Sequence, residues 1–221
     1  MFLDFHTHDA RKEAGVQNIY NVILNAEAMA DETWKNREAV SVGIHPWYID
    51  AARTEETLHY LEQVVGLEVV KCIGEAGLDK LRGPDLRVQE EVFIRQIRIA
   101  EAEGKPVVIH CVRAYPELMA LKKALNPAVP MVIHGFSRKP ELAAELVSGG
   151  FYLSFGKAIR DKPYVQQALQ EIPAKRLFLE TDGEAEIKEI YSRAAELRGI
   201  TLAELQEIIR QNYSTIGLIN K

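Results

Sequence analysis

Two histidines one residue apart, His6 and His8, close the short apolar segment Leu3-Asp4-Phe5. In an extended strand alternate side chains share a face, so both imidazoles project to one side with Cα atoms roughly 6–7 Å apart. At that spacing two ring nitrogens can each approach one metal ion at about 2 Å. Four further donors follow apolar runs. Glu75 comes after Val69-Val70-Lys71-Cys72-Ile73-Gly74, His110 after Val107-Val108-Ile109, His134 after Met131-Val132-Ile133, and Asp182 after Leu177-Phe178-Leu179. His45 closes another such run, so five of the six histidines take strand-end positions, unlike histidines scattered over a core or a surface.

Three or four nitrogen and oxygen donors suit one metal ion, whereas five such donors plus a carboxylate able to bridge suit two ions about 3.5–4 Å apart. His6, His8, Glu75, His110, His134 and Asp182 are therefore the candidate ligands of two divalent cations, Mg²⁺, Mn²⁺ or Zn²⁺. Glu75 is the expected bridge, since each of its oxygens can serve one ion. Asp182 is expected to bind one ion and to take the proton of a water. The expected reaction class is metal-assisted hydrolysis, with Glu75 and Asp182 as its catalytic carboxylates. His45, in Gly43-Ile44-His45-Pro46-Trp47, is expected to contact substrate or support a ligand, and His59, in a Glu-rich amphipathic stretch, to lie on a solvated helix face.

Such donors must be held by elements, and eight strand-like segments can be counted, near 2–6, 18–24, 39–44, 68–75, 106–110, 130–134, 151–155 and 176–181. Helical patterns separate most of them. Residues 54–65 put Leu58, Leu61 and Val65 on one face with Thr54 as N-cap. Residues 86–103 carry Val88, Val92, Phe93, Ile97 and Ala100 at helical spacing and stop at Gly104. Pro140 opens a helix ending before Gly149-Gly150, residues 184–198 form another, and Thr201 with Glu204 makes a capping box for the last. Alternating strands and helices without a linker predict one α/β domain over residues 1–221, and eight Val- and Ile-rich strands predict a (β/α)8 TIM-type barrel. Ligands at many strand ends would then converge on its mouth. Only residues 9–17 separate the first two strands, and the next unit, 25–38, is also short, so the first crossover units are expected to be abbreviated.

Composition narrows the class. Hydrophobic residues make up 47% and charged residues 27% of the chain, as in ordinary globular proteins. No run reaches the roughly 20 apolar residues of a membrane helix, and no secretory signal pattern opens the chain, so a cytoplasmic protein without membrane contact is expected. Two cysteines, Cys72 and Cys111, exclude a disulfide framework and read as small buried hydrophobes. The net charge of −5 lacks the basic footprint of a DNA-coating protein, yet leaves room for local contacts to a nucleic-acid end. Gly-x-Ser-x-Gly and Gly-x-Gly-x-x-Gly are absent, and Gly150…Gly156-Lys157-Ala158 lacks both the spacing and the hydroxyl of a phosphate loop.

The motifs His6-Thr7-His8, Gly43-Ile44-His45-Pro46, Ile73-Gly74-Glu75-Ala76-Gly77-Leu78-Asp79, Gln89-Glu90…Phe93, Pro106-Val107-Val108-Ile109-His110…Arg113-Ala114, His134-Gly135-Phe136-Ser137 and Leu179-Glu180-Thr181-Asp182 run in the order of, and resemble, the TatD-like metal-dependent deoxyribonucleases. The resemblance implies an amidohydrolase-superfamily hydrolase with two cation sites: His6, His8, Glu75 and Asp182 for the first ion, and Glu75, His110 and His134 for the second. It also implies DNA phosphodiester hydrolysis. In place of the family's Glu-Thr-Asp-Ala-Pro and the long segment after it, Gly183-Glu184-Ala185 follows Asp182 here and leads into a helix.

Independent signs of a phosphate substrate are the cations after strands four to seven: Arg82, Arg87, Arg113, Arg138, Lys139, Lys157, Arg160 and Lys162. Arg113, whose guanidinium matches phosphate oxygens bidentately, and Lys157 are the expected substrate contacts beside His45. The rival reading keeps the metals and hydrolyses a small amide, lactone or phosphoester. Against it, Glu75 stands where related hydrolases use a carbamylated lysine, and Lys71 lies four residues too early. A non-catalytic scaffold barrel is the least favoured reading.

Overall fold

Runs of β-branched residues become strands and the three-to-four-residue apolar spacing becomes helices, as a computed structural model of residues 1–11 and 13–219 shows. The strands are β1 (Phe2–Thr7), β2 (Val16–Ile23), β3 (Val40–Gly43), β4 (Val70–Asp79), β5 (Val107–Val112), β6 (Met131–Ile133), β7 (Tyr152–Phe155) and β8 (Leu177–Leu179). The helices are α1 (Ala26–Ala30), α2 (Thr54–Val64), α3 (Leu86–Glu103), α4 (Tyr115–Leu125), α5 (Pro140–Ser148), α6 (Pro163–Glu171), α7 (Ile187–Arg198) and α8 (Leu202–Thr215). The strand order follows the chain, β1 through β8. Among the described residues β1 and β2 have no helix between them, and five-residue α1 with a short 3₁₀ turn serves the next crossover, so the early units are abbreviated as expected.

The chain divides into two compact units, Met1–Ile19 with Val132–Lys221, and Tyr20–Met131. In the first, β6, β7 and β8 run parallel with Val132 opposite Tyr152 and Ser154 opposite Phe178. Phe5 of β1 and Phe178 of β8 stack at 4.7 Å, with Tyr213 of α8 edge-on to Phe5. Tyr191 of α7 donates its hydroxyl to Leu3 O at 3.0 Å, fixing the start of the His-x-His strand. The capping box forms: Glu204 N donates to Thr201 Oγ1, and Thr201 N to the Glu204 carboxylate.

In the second unit β2, β3, β4 and β5 run parallel. Two expectations are corrected here. The cap of α2 is Arg53, with the Thr54 hydroxyl donating to Asp50 O instead, and Glu75 does not end its strand. β4 continues to Asp79, with register shifts against both neighbours, because small residues at 74, 76 and 77 let it run close to them. A Cβ at Gly43 would lie 2.7 Å from Gly74 Cα, and one at Gly77 would collide with the His110 carbonyl.

Cys72 is fully buried, which pushes its thiol up to about 12. A thiol-reagent titration is expected to leave Cys72 unreacted in native protein and to count both cysteines in denaturant; full native reaction would contradict this placement. Among the described residues no helix is long and apolar enough to cross a membrane.

Candidate metal centre

In the first unit, strand alternation does what the spacing predicts. The His6 and His8 rings lie 5.1 Å apart, His6 fully buried and His8 exposed just past the strand end. Asp182 joins them from the turn after β8, its Oδ1 3.7 Å from His6 Nε2 and 3.6 Å from His8 Nε2. It adopts the left-handed conformation, φ 53°, followed by Gly183 at φ 73°, while its N–H donates to His6 O at 3.0 Å. A residue so placed is strained unless neighbours fix it. Here Asp4, buried one turn of alternation before His6, accepts from Thr181 N (2.9 Å) and Thr181 Oγ1 (2.7 Å). Burial drives the Asp4 carboxyl up to about 7, against the pull of those Thr181 bonds. The result is a bracket tying the His-x-His strand to the turn that carries Asp182.

His134, one residue past β6, stacks 4.4 Å from His6. Behind it lies Glu180, fully buried, whose Oε1 accepts from Gly135 N at 2.6 Å and sits 3.5 Å from His134 Nδ1. Burial pushes the Glu180 carboxyl up, but the His134 and His6 rings and the Ser154 hydroxyl together offset it and hold the carboxyl below its ordinary range. His6, His134 and Asp182 each offer a ligand atom, and these atoms lie within 4.8 Å of one another.

The second unit carries its own group. Glu75 Oε1 is 3.2 Å from His45 Nε2 and 2.8 Å from His110 Nδ1, and the three ligand atoms again fall within 4.8 Å. Asn21 of β2 donates its amide to Glu75 Oε2 at 3.4 Å and accepts from Glu75 N at 2.9 Å. Ser41 of β3 donates to the same Asn21 oxygen. Asp79, at the end of β4, faces the other ring nitrogen of His110 at 3.1 Å and accepts from Trp47 Nε1 at 2.6 Å. Burial raises the Asp79 carboxyl, and the Trp47, His110 and Leu81 N–H bonds together outweigh it, leaving it below the ordinary range. Two glutamines of α3 hold the strand ends in place. Gln96 Oε1 accepts from Ile44 N at 2.7 Å, and Gln89 Oε1 from Asp79 N at 2.7 Å.

Each unit thus sets a histidine between a donor group and a buried carboxylate, Glu180 behind His134 and Asp79 behind His110. Such an arrangement fixes the tautomer and orientation of an imidazole. The donors are imidazole nitrogens and carboxylate oxygens without thiolate, which suits Zn²⁺ or Mn²⁺ and, where oxygens dominate, Mg²⁺. Of the expected site residues, the structure brings His134 together with His6 and Asp182, and His45 together with Glu75 and His110. Arg113 is exposed in a left-handed turn, φ 55°. Lys157 pairs with Glu184 beside a cavity of about 130 Å³ that Asp182, Ser137 and Lys162 also line. His59 lies exposed on α2, as expected.

Sequence reasoning left Asn21, Asp79, Gln89, Gln96 and Glu180 without a role. A signal existed for the glutamines: residues 89, 92, 93, 96, 97 and 100 form one helical stripe, so two amides stand where apolar side chains belong. Nothing comparable marks Asn21, whose partners lie 20 and 54 residues away.

The chain matches the family described as TatD related DNase over residues 5–216. It is 31% identical over 199 residues to an uncharacterized metal-dependent hydrolase, YabD, of Bacillus subtilis, covering 81% of this chain and 77% of that protein. To the 3'-5' ssDNA/RNA exonuclease TatD of Edwardsiella piscicida it is 32% identical over 163 residues, 71% of this chain and 60% of that one. Among solved structures, the TatD homologue YjjV of Escherichia coli superposes with a TM-score of 0.84 at 22% identity, covering 97% of both chains. The fold is therefore the (β/α)8 barrel expected from the sequence.

Proposed function

Because the chain belongs to the TatD related DNase family, and so to the metal-dependent hydrolases, we propose that it hydrolyses phosphodiester bonds of nucleic acid, DNA foremost, with two divalent cations. On this reading residues 1–221 work as one catalytic domain in the cytoplasm. One observation carries the proposal: two distinct three-donor groups, His6/His134/Asp182 and His45/Glu75/His110, each with its ligand atoms within 4.8 Å. Divalent cations held there would acidify water and neutralise charge on phosphoryl oxygens. The chain's own residues do the rest. Asp182 Oδ1, set between two imidazoles and part-exposed, is placed to accept a proton from water. Glu75 is aimed by the Asn21 amide, which donates to its Oε2 at 3.4 Å. His8 reaches Asp182 Oδ1 at 3.6 Å and completes the first donor set. Lys157 and Arg113, with Lys162 beside the cavity, supply positive charge for phosphate oxygens. The names of two relatives, both 3'-5' ssDNA/RNA exonucleases, support the substrate class.

The test incubates metal-free protein with end-labelled single-stranded DNA and with a small phosphodiester, adding back Mg²⁺, Mn²⁺ or Zn²⁺. Cleavage of DNA that returns with metal, stops with chelator and accompanies two bound ions per chain is the expected result. Turnover of the small ester with intact DNA would overturn the nuclease assignment, and full activity at negligible metal content would overturn the mechanism.

A further inference from the structure

Trp47 is an odd residue to find half out of the protein. It follows Pro46 in a short 3₁₀ turn and keeps 37% of its surface exposed, with Tyr48 beside it at 51%. Yet it is held firmly. Its Nε1–H donates to the buried Asp79 carboxylate at 2.6 Å, and its ring meets those of His45 and His110 edge to face at 4.8 and 5.5 Å. The Arg82 guanidinium lies 4.4 Å over the ring. The loop carrying Arg82 is fixed in turn by Gln89, only 1% exposed, whose amide donates to Asp79 O, Arg82 O and Pro84 O at 2.9, 3.1 and 2.8 Å. A rigid exposed indole and a guanidinium therefore stand beside the two imidazoles of the His45/Glu75/His110 group, all within one unit.

We propose that Trp47 and Arg82 form a base-binding subsite for single-stranded nucleic acid. The indole stacks on an unpaired nucleobase next to the bond that is cut, and the guanidinium takes an adjacent phosphate. The proposal deepens the phosphodiesterase reading and rests on it. Aromatic stacking accepts any base, since every base has a π-face, and a guanidinium adds the charge that tracks the backbone. In a duplex the base faces are covered, so this subsite favours frayed or unpaired strands. Pinning by Asp79 means the ring loses little freedom when the base arrives.

The metal-loaded protein is tested on a short single-stranded DNA from which one base at a time is removed along an unchanged backbone, beside a small phosphodiester. In the native chain, removal at one position is expected to raise KM about tenfold with a smaller change in kcat. Trp47→Phe keeps most of that penalty because it keeps a ring, while Trp47→Ala abolishes it. Arg82→Ala raises KM for the intact strand and leaves the base penalty in place. If Trp47 served only to anchor Asp79, Phe and Ala would behave alike and the penalty would survive in both; that result overturns the proposal. A second measurement does not depend on variants folding. In chelator, where nothing is cut, the intact strand is expected to quench tryptophan emission from the native chain, whose other tryptophan, Trp34, is buried. The base-free backbone is expected to leave that emission unchanged, and equal emission with both strands overturns the subsite. Cutting of every strand with equal KM also removes the subsite and spares the nuclease reading, whereas hydrolysis of the small ester alone removes both.

Discussion

Asp182→Asn is expected to lower kcat for DNA about 10²–10⁴-fold, the range for removing a group that moves a proton in the transition state, while leaving the thermal midpoint almost unchanged. The substitution separates charge from conformation. Asp182 sits at φ 53°, where most side chains are strained but asparagine is at ease. Its N–H bond to His6 O and the Asp4–Thr181 bracket on its other side do not involve the carboxylate, so both survive. What is lost is the anionic Oδ1 between His6 and His8. Asp182→Ala should cost activity similarly and stability in addition, since alanine resists the left-handed region. Kinetics paired with differential scanning calorimetry read the two effects apart. An Asn variant with kcat within about twofold of native would remove Asp182 from the reaction.

The second large effect is structural. Gly77→Ala is expected to destabilise the chain by about 3 kcal/mol or more, combining backbone strain with overpacking. Gly77 has φ 144°, a conformation that only glycine adopts at low cost, and a methyl there would run into the His110 carbonyl. Gly77 and His110 are register partners of β4 and β5, so the collision displaces the strand that carries His110, a proposed ligand. A lowered urea midpoint with an unchanged m-value, together with loss of about one of two bound ions, is the signature. An unchanged midpoint would show that the β4–β5 contact is looser than described. Because the effect acts through His110, Gly77→Ala should also weaken metal retention more than Gly104→Ala, whose φ is also positive but whose added Cβ meets nothing within 4 Å.

Much of the chain away from β4 could be read from residue order. His6 and His8 needed only strand alternation to share a face, and their ring separation of 5.1 Å follows from it. Helix α3 begins and ends where Asp85 and Gly104 cap it, and α8 where Thr201 and Glu204 form their box. The missing early helices were legible too, because nine residues cannot make a full crossover. Less could be read around β4. The run of apolar residues stops at Ile73, but the strand continues through Glu75 to Asp79, since burial on both faces and three small residues keep the pairing going past a register shift. That extension places Asp79 opposite Val112 in register and brings its carboxylate to His110.

By itself, then, the sequence determined the types of donor, their positions along strands and turns, and the alternation that builds a barrel, because these depend on periods of two and 3.6 residues and on local capping. Only the tertiary structure decided which donors share a group: His134 with His6 and Asp182, and His45 with Glu75 and His110. It also decided which buried carboxylate stands behind each histidine, and that Trp47 is pinned yet exposed. Those outcomes hang on inter-strand register and on contacts between residues 30 or more positions apart, and no local period encodes them.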